Sequence, residues 1–344
     1  MEPAIATTNL TCRYGRMEAV RNLTLTVEPG SLFALLGPNG AGKTTTVRTL
    51  MNILRPSGGR ATVGGVDSRR LGPRELATIG YVSENQKLPA WMTVGELFTY
   101  CRPLYPTWDD ALCRRLARDF DLPLTTKIRR LSRGMRVKAA LVSSLAYRPR
   151  ILVLDEPFSG LDPVVRDDLV HGVLELAGQE QWTVFLSSHD LDEVERLVDT
   201  VGFLDAGSLV LCEPFADLHA RFRRVEVTTA ETNELRQEQI RLKPDPTYEG
   251  AERGTWDPAL APLVLSKDER SGQASAGLRD AADSGWIGIQ QAGRVVRFVD
   301  TRYVEDDTER RATAAFTATR IDVHPMTLRE IFVAIVRERR EAQR

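Results

Sequence analysis

Ser31-Leu32-Phe33-Ala34-Leu35-Leu36-Gly37-Pro38-Asn39-Gly40-Ala41-Gly42-Lys43-Thr44-Thr45-Thr46-Val47-Arg48 is the stretch around which the chain is organised. Leu32 to Leu36 is an apolar run of strand length. Gly37 to Gly42 turns the chain, and the residues from Lys43 onward read as a helix. Gly37, Gly42, Lys43 and Thr44 meet the spacing G-x-x-x-x-G-K-[ST]. Glycines let a backbone fold tightly and point successive N–H groups into one concavity. The helix N-terminus adds about half a positive charge at the same point. Such a cradle suits phosphate: Lys43 can reach β- and γ-phosphates, and the Thr44 hydroxyl can ligate Mg²⁺. A glycine-rich turn can match this pattern by chance, but the strand before it and the helix after it supply the required context.

The chain has 344 residues, room for two domains at about 150 residues each. Its 42% hydrophobic and 27% charged residues are ordinary for a globular protein. A formal net charge of −1 gives no bulk electrostatic case for nucleic acid or an anionic membrane. Cys12, Cys101, Cys113 and Cys212 lack metal or redox spacing and read as free thiols in a reducing compartment. No apolar run approaches the ~20 residues of a membrane span, and Met1 to Ile5 lacks the features of a signal peptide. The expectation is a cytoplasmic protein whose membrane attachment comes through a partner.

Ile5–Arg13 and Val20–Val27 read as strands, the second closed by Glu28-Pro29-Gly30. Tyr14 lies between them. By itself it reads as a surface or hairpin tyrosine, or as an aromatic able to stack on a base. A helix to about Leu54, a strand near Ala61–Val63, a helix near Pro73–Ala77 and a strand at Ile79–Val82 follow. This alternation implies a largely parallel sheet covered by helices. Thr93–Tyr105 and Trp108–Phe120 read as helices, the first opened by a Thr93/Glu96 capping box and the second entered through Pro106-Thr107. Pro89, Trp91, Phe98 and Tyr105 are core residues or the wall of a groove for a partner helix. Ser132 caps a helix running to about Tyr147, and Ser132 with Gly134 at a helix start can make a second anion site.

Ile151 to Leu154 is a buried strand ending in Asp155 and Glu156. Asp155 can hold Mg²⁺, and Glu156 can orient or deprotonate a water that attacks the γ-phosphate. Ser159 to Asp162 lies in a turn. A second buried strand, Thr183–Leu186, leads into Ser187-Ser188-His189-Asp190, which puts His189 where open α/β sheets place their ligands.

In this order the motifs resemble the ATP-binding subunit of an ABC transporter, over roughly residues 4–225. The implied fold is the α/β P-loop NTPase of ABC type: a mostly parallel sheet core, an antiparallel β subdomain and a helical subdomain. The resemblance implies that Gly37, Pro38, Asn39, Gly40, Ala41, Gly42, Lys43, Thr44 and Thr45 form the Walker A loop and Ile151–Asp155 the Walker B strand. It implies Glu156 as the catalytic base, His189 on the γ-phosphate and Tyr14 on adenine. Leu131–Met135 matches the signature, whose Ser132 and Gly134 would bind ATP held by the other subunit, and Ser159–Asp162 matches the loop that communicates across that dimer. There are two departures. Arg133 and Met135 replace a Gly and the Gln of Leu-Ser-Gly-Gly-Gln, and Glu84 stands where the family places a Gln. Glu84 can bind Mg²⁺ or a water there. This variant resembles a branch of exporter ATPases that work with separate membrane subunits.

Residues 1–222 are expected to form the nucleotide-binding domain and 223–344 an α+β accessory domain. The accessory domain includes a loop or flexible insertion near 243–285, a hairpin of Trp286–Gln290 and Arg294–Val299 around Ala292-Gly293, and a last helix opened by Thr327 and Glu330 with a stripe of Leu328, Ile331, Phe332 and Ile335. The resemblance implies an ATPase using ATP and Mg²⁺, paired with itself or a paralogue, and a separate transmembrane permease subunit at the inner face of the cell membrane. A soluble ABC-type ATPase acting on ribosomes or DNA is the alternative; against it, the sequence holds one Walker A loop and no long coiled coil before the signature. A phosphate-loop kinase or GTPase would leave the signature and His189 unused.

Overall fold

The computed structural model describes residues 2–84, 86–192, 194–195, 198–230 and 285–342. The insertion expected near 243–285 lies outside the described residues, Gly285 excepted. Chain contacts divide the protein into two units, Met1–Phe215 and Ala216–Arg344.

In the first unit β1 (Ile5–Tyr14) and β2 (Met17–Val27) form an antiparallel hairpin. Ile5, Leu10 and Cys12 are buried on β1, as are Val20, Leu23, Leu25 and Val27 on β2. After β3 (Leu32–Leu36) and α1 (Lys43–Leu50), β4 (Gly58–Val63) pairs with β1, and β5 (Val66–Asp67) with β4, giving the antiparallel order β2-β1-β4-β5. Phe33, Val47, Leu50, Val153 and Phe185 bury their side chains with this hairpin's apolar residues in one core. The Phe33 and Phe185 rings stack with centroids 5.4 Å apart.

The second sheet runs β10-β9-β3-β8-β7-β6. Its members are β6 (Ile79–Ser83), β7 (Ile151–Asp155), β8 (Thr183–Ser188), β9 (Thr200–Asp205) and the edge strand β10 (Ser208–Pro214). β10 is antiparallel to β9, and every other pairing is parallel. β7 and β8 are buried at every residue, as central parallel strands covered on both faces must be. Connections between parallel strands supply the helices: α2 (Pro73–Leu76), α3 (Val94–Cys101), α4 (Asp110–Asp119), α5 (Arg133–Leu145) and α6 (Pro163–Glu180).

The Thr93/Glu96 capping box forms in both directions, at 2.8 and 3.2 Å. α4 starts later than its expected entry at Pro106-Thr107. Asp109 is the cap, its carboxylate accepting from the Ala111 and Leu112 N–H groups, while Tyr105 to Trp108 forms a turn. The aromatics of this stretch have separate fates: Phe98 is core, Tyr105 stacks on Tyr147 at 3.8 Å, and Trp91 is 68% exposed.

The second unit opens within α7 (Phe215–Arg221). Its antiparallel sheet has the order β12-β13-β11-β14, from β11 (Arg223–Thr229), β12 (Trp286–Ala292), β13 (Val295–Asp300) and β14 (Ala318–Pro325). Val225, Val227, Trp286, Val296 and Phe298 pack with Ala312 of α8 (Glu305–Phe316). Asp300, fully buried, accepts from Trp286 Nε1, Thr308 Oγ1 and Arg311 Nη2 at 3.1, 2.7 and 3.1 Å, the satisfaction a buried carboxylate requires. α9 (Leu328–Ala342) opens on the expected Thr327/Glu330 box. α8 and β14 have no counterpart in the sequence pattern, because the face α8 turns to the core is made of small or polar residues, Thr308, Ala312 and Ala315, with Phe316 only at its end.

Candidate functional site

Strand register assembles the site. Asp155 pairs with Ser83 on one side and Ser187 on the other, and Ser187 pairs with Leu35. The residues that leave each strand next are therefore Glu84, Glu156, Ser188-His189 and the loop from Gly37, all at one edge of the sheet. Carboxyl ends of parallel strands are where open α/β sheets hold ligands.

A cavity of ≈ 370 Å³ opens there. Asn39, Gly40, Gly42, Lys43, Thr44 and Thr45 form one wall, and Glu84, Glu156, Ser159 and His189 form another. Tyr14, Met17 and Ala19 complete it from the β1–β2 hairpin. Gly37, Pro38 and Ala41 belong to the loop but do not line the cavity. The loop depends on glycine in two places. Gly42 caps α1 at φ +107°, and a Cβ there would stand 2.4 Å from Ala19 O. A Cβ on Gly37 would stand 2.1 Å from Leu204 O.

Lys43 Nζ donates to Gly37 O at 2.7 Å and Pro38 O at 3.1 Å, and pairs with Glu156 Oε1 at 3.0 Å. The second carboxylate oxygen, Oε2, lies 2.6 Å from His189 Nδ1 and accepts from the His189 N–H at 3.3 Å. A carboxylate only accepts, so this contact places the imidazole proton on Nδ1. Glu156 sits at φ +51°, a left-handed conformation for a residue with a Cβ. Such backbones cost about 1–3 kcal/mol and cluster at functional sites.

Thr44 Oγ1 and Ser187 Oγ both donate to Asp155 Oδ1, at 3.1 and 2.8 Å. Burial pushes the Asp155 carboxyl above the usual carboxylate range; the two hydroxyl donors oppose this, and the nearby Glu156 charge adds to it. A buried acid beside a threonine hydroxyl is a hard-oxygen donor set suited to Mg²⁺. Glu84 contributes to this neighbourhood through its backbone, its N–H donating to Asp155 O at 2.9 Å. Its carboxylate Oε1 is directed to Arg133 Nη2 at 2.7 Å. The sequence reading placed Glu84 with Thr44 and Asp155 as a metal ligand; the structure gives its carboxylate this other partner. Among the described residues no group of three or more His, Cys, Asp or Glu side chains could hold a metal.

Ser132 and Gly134 do not line the cavity. Ser132 Oγ caps α5 by accepting from Met135 N–H at 3.2 Å. Gly134 packs so closely that a Cβ would meet Val165 Cγ1 at 2.8 Å. Three contributors escaped the sequence reading. Met17 and Ala19 reach the cavity because the β1–β2 hairpin folds over the loop, which no local pattern announces. Ser187 holds both acids: its hydroxyl serves Asp155 and accepts from the Glu156 N–H at 3.2 Å. A serine ending an apolar strand beside the acid-bearing one was its only signal.

Fold and site together define a P-loop nucleotide hydrolase. The sequence profile described as "ABC transporter" matches residues 20–159. The bacitracin transport ATP-binding protein BcrA of Bacillus licheniformis is 32% identical over 226 residues, 65% of this chain and 74% of that protein. The daunorubicin resistance ATP-binding protein DrrA3 of Streptomyces coeruleorubidus is 35% identical over 230 residues, 65% of this chain and 72% of that one. A solved structure described as the ATP-binding subunit of an ABC transporter superposes with a TM-score of 0.57 at 26% identity, covering 63% of this chain and 92% of that chain. The chain belongs to the ABC transporter ATP-binding family and is an ATPase.

Proposed function

We propose that two copies of this chain, or this chain and a paralogue, close around two MgATP and drive export of a substrate through a separate transmembrane subunit. The observation that carries the reading is the Glu156 carboxylate, held between Lys43 and His189 at the phosphate-loop edge of the sheet. In it the adenine stacks on Tyr14, and the loop Gly37–Thr45 wraps the phosphates. Lys43 balances their charge, Glu156 takes a proton from the attacking water, and His189 holds Glu156 and the γ-phosphate in register. Thr44 and Asp155 would hold Mg²⁺, which when bound supplies positive charge against the developing negative charge on the phosphate oxygens. Ser132 and Gly134 belong to the opposing half of the pocket and act on the neighbour's nucleotide. Electrostatic stabilisation of this kind is the main catalytic resource in phosphoryl transfer.

Support for a membrane partner comes from a cavity of ≈ 690 Å³ lined by Thr93, Gly95, Glu96, Thr99, Tyr100, Leu124 and Thr125, with Tyr100 and Leu124 exposed. No helix among the described residues is long and apolar enough to cross a membrane. The reading therefore places the protein at the inner membrane face through its permease, with residues 1–222 as the nucleotide-binding domain and 223–344 as an accessory domain. Export rests on the drug-related names of the two relatives, and a net charge of −1 gives no bulk electrostatic case for nucleic acid.

The test is Glu156→Gln with MgATP. Light scattering is expected to show an ATP-dependent dimer, and tagged full-length chain is expected to bring a polytopic protein out of detergent-solubilised membranes. A variant that stays monomeric at saturating ATP, or a chain that co-purifies with ribosomes or DNA instead, overturns the reading.

A further inference from the structure

Glu84 stands on the wall of the cavity that also contains Lys43, Thr44 and Glu156, so its carboxylate is within side-chain reach of that cavity. ATP carries several negative charges, so an uncompensated acid there opposes its binding. Among the described residues, Arg133 is the cation paired with Glu84. Arg133 Nη2 lies 2.7 Å from Glu84 Oε1, reaching across from the start of α5. Its place is prepared by Gly160, where a Cβ would stand 2.8 Å from Arg133 Nη1. Arg133 therefore meets both the Glu84 segment and the turn that follows Glu156. The backbone of Glu84 is fixed at the cavity, through its N–H on Asp155 O at 2.9 Å, so the direction of the carboxylate is set by its side-chain partner.

We infer that Arg133 is a positioning residue for ATP: by pairing with Glu84 it neutralises an acid in the nucleotide cavity and draws its carboxylate aside, so that the triphosphate can bind. Arg133 acts through Glu84 and has no contact with substrate in this role. The inference rests on the cavity being the nucleotide site, as proposed above.

Charge compensation and mechanical tethering predict opposite outcomes. If the pair is a tether, Arg133→Ala and Glu84→Gln each break it, and combining them brings no recovery. If Arg133 neutralises Glu84, removing the arginine exposes the acid, and removing the acid as well restores binding. The experiment is calorimetric titration of the full chain with MgATP and MgADP in the Glu156→Gln background, which suppresses turnover. Arg133→Ala is expected to raise the Kd for ATP about tenfold, ~1.4 kcal/mol. The loss should be smaller for ADP, which carries less charge, and should shrink at high salt. Arg133→Lys should retain most of the affinity, and Glu84→Gln/Arg133→Ala should bind ATP within about twofold of the background. Parental affinity in Arg133→Ala, equal losses for ATP and ADP, or a double variant as weak as the single one overturns the inference and leaves the proposed function standing. Failure of the background chain itself to bind ATP would instead remove the proposed function.

Discussion

Lys43 and Glu156 form an ion pair at 3.0 Å in which the side chains are only 5% and 11% exposed. It joins the first residue of α1 to the end of β7, so the phosphate loop and the acid are held together by opposite charge. Removing one member of a buried pair leaves the other desolvated without compensation, which costs about 3 kcal/mol or more. Lys43→Ala should therefore destabilise the first unit as well as abolish tight ATP binding. Lys43→Ala/Glu156→Gln should regain most of that stability, because the buried acid is then neutral, while hydrolysis stays absent. Thermal denaturation and ATPase assays of the two variants check this; a double variant no more stable than Lys43→Ala would show that the pair is not what holds the loop to the strand.

Gly42→Ala is expected to be more damaging than its one added methyl suggests. The residue sits at φ +107°, and the new Cβ would lie 2.4 Å from a backbone carbonyl, that of Ala19, which has no rotamer to escape into. Either the loop or the β1–β2 hairpin must shift. The expected destabilisation is about 2 kcal/mol, with ATP affinity lowered at least about tenfold. Gly40→Ala, whose φ of +81° is strained but whose Cβ would meet nothing within 4 Å, should cost less. Denaturant melts and nucleotide titration of the two variants separate strain from collision; equal losses would refute the distinction.

The site was legible because its residues are short-range signals placed by register. Gly37 to Thr44, Asp155-Glu156 and His189 each follow an apolar strand, and parallel pairing alone brings those strand ends together. What local pattern could not carry was partner choice. Nothing near Glu84 in sequence announces that its carboxylate belongs to Arg133, 49 positions away. The hairpin residues Met17 and Ala19 reach the cavity by tertiary folding. In the second unit, β12 and β13 were readable from alternation, whereas α8 was not, since its inner face is built from Thr308, Ala312 and Ala315 with one large apolar residue, Phe316, at its last position.

Asp67 gives the first unit a pH-dependent contact away from the site. Its carboxylate accepts from Arg69 Nε and Nη2 at 2.9 and 2.7 Å and lies 3.5 Å from Arg60. The Arg69 guanidinium, by hydrogen bonding first of all, holds the Asp67 carboxyl down at about 2. An unfolded aspartate titrates near 3.9, so the contact's stabilisation is fully present above about pH 4 and is lost as pH falls through 2. Asp67→Asn should lower the melting temperature by about 3 °C at pH 7, and its deficit should vanish as the pH approaches 2. Melting curves across that range decide it: a constant deficit would mean that packing, not charge, is what the substitution removes.

His189 is expected to act through the same carboxylate as Lys43 but on the chemical step. Its Nδ1 lies 2.6 Å from Glu156 Oε2, so the ring fixes the orientation of the acid that takes the water's proton. Loss of an orienting partner leaves the base present but misdirected, and positioned general-base catalysis is worth about 10²–10⁴ in rate. His189→Ala should lower kcat by about 10² or more while changing KM for ATP only a few-fold. Two residues serving one step are not additive. His189→Ala/Glu156→Gln should therefore be scarcely slower than Glu156→Gln alone. Steady-state kinetics of the two single variants and the double complete the cycle. Multiplying losses would mean that His189 acts on the chemical step through direct contact with the γ-phosphate, independently of its 2.6 Å contact with Glu156.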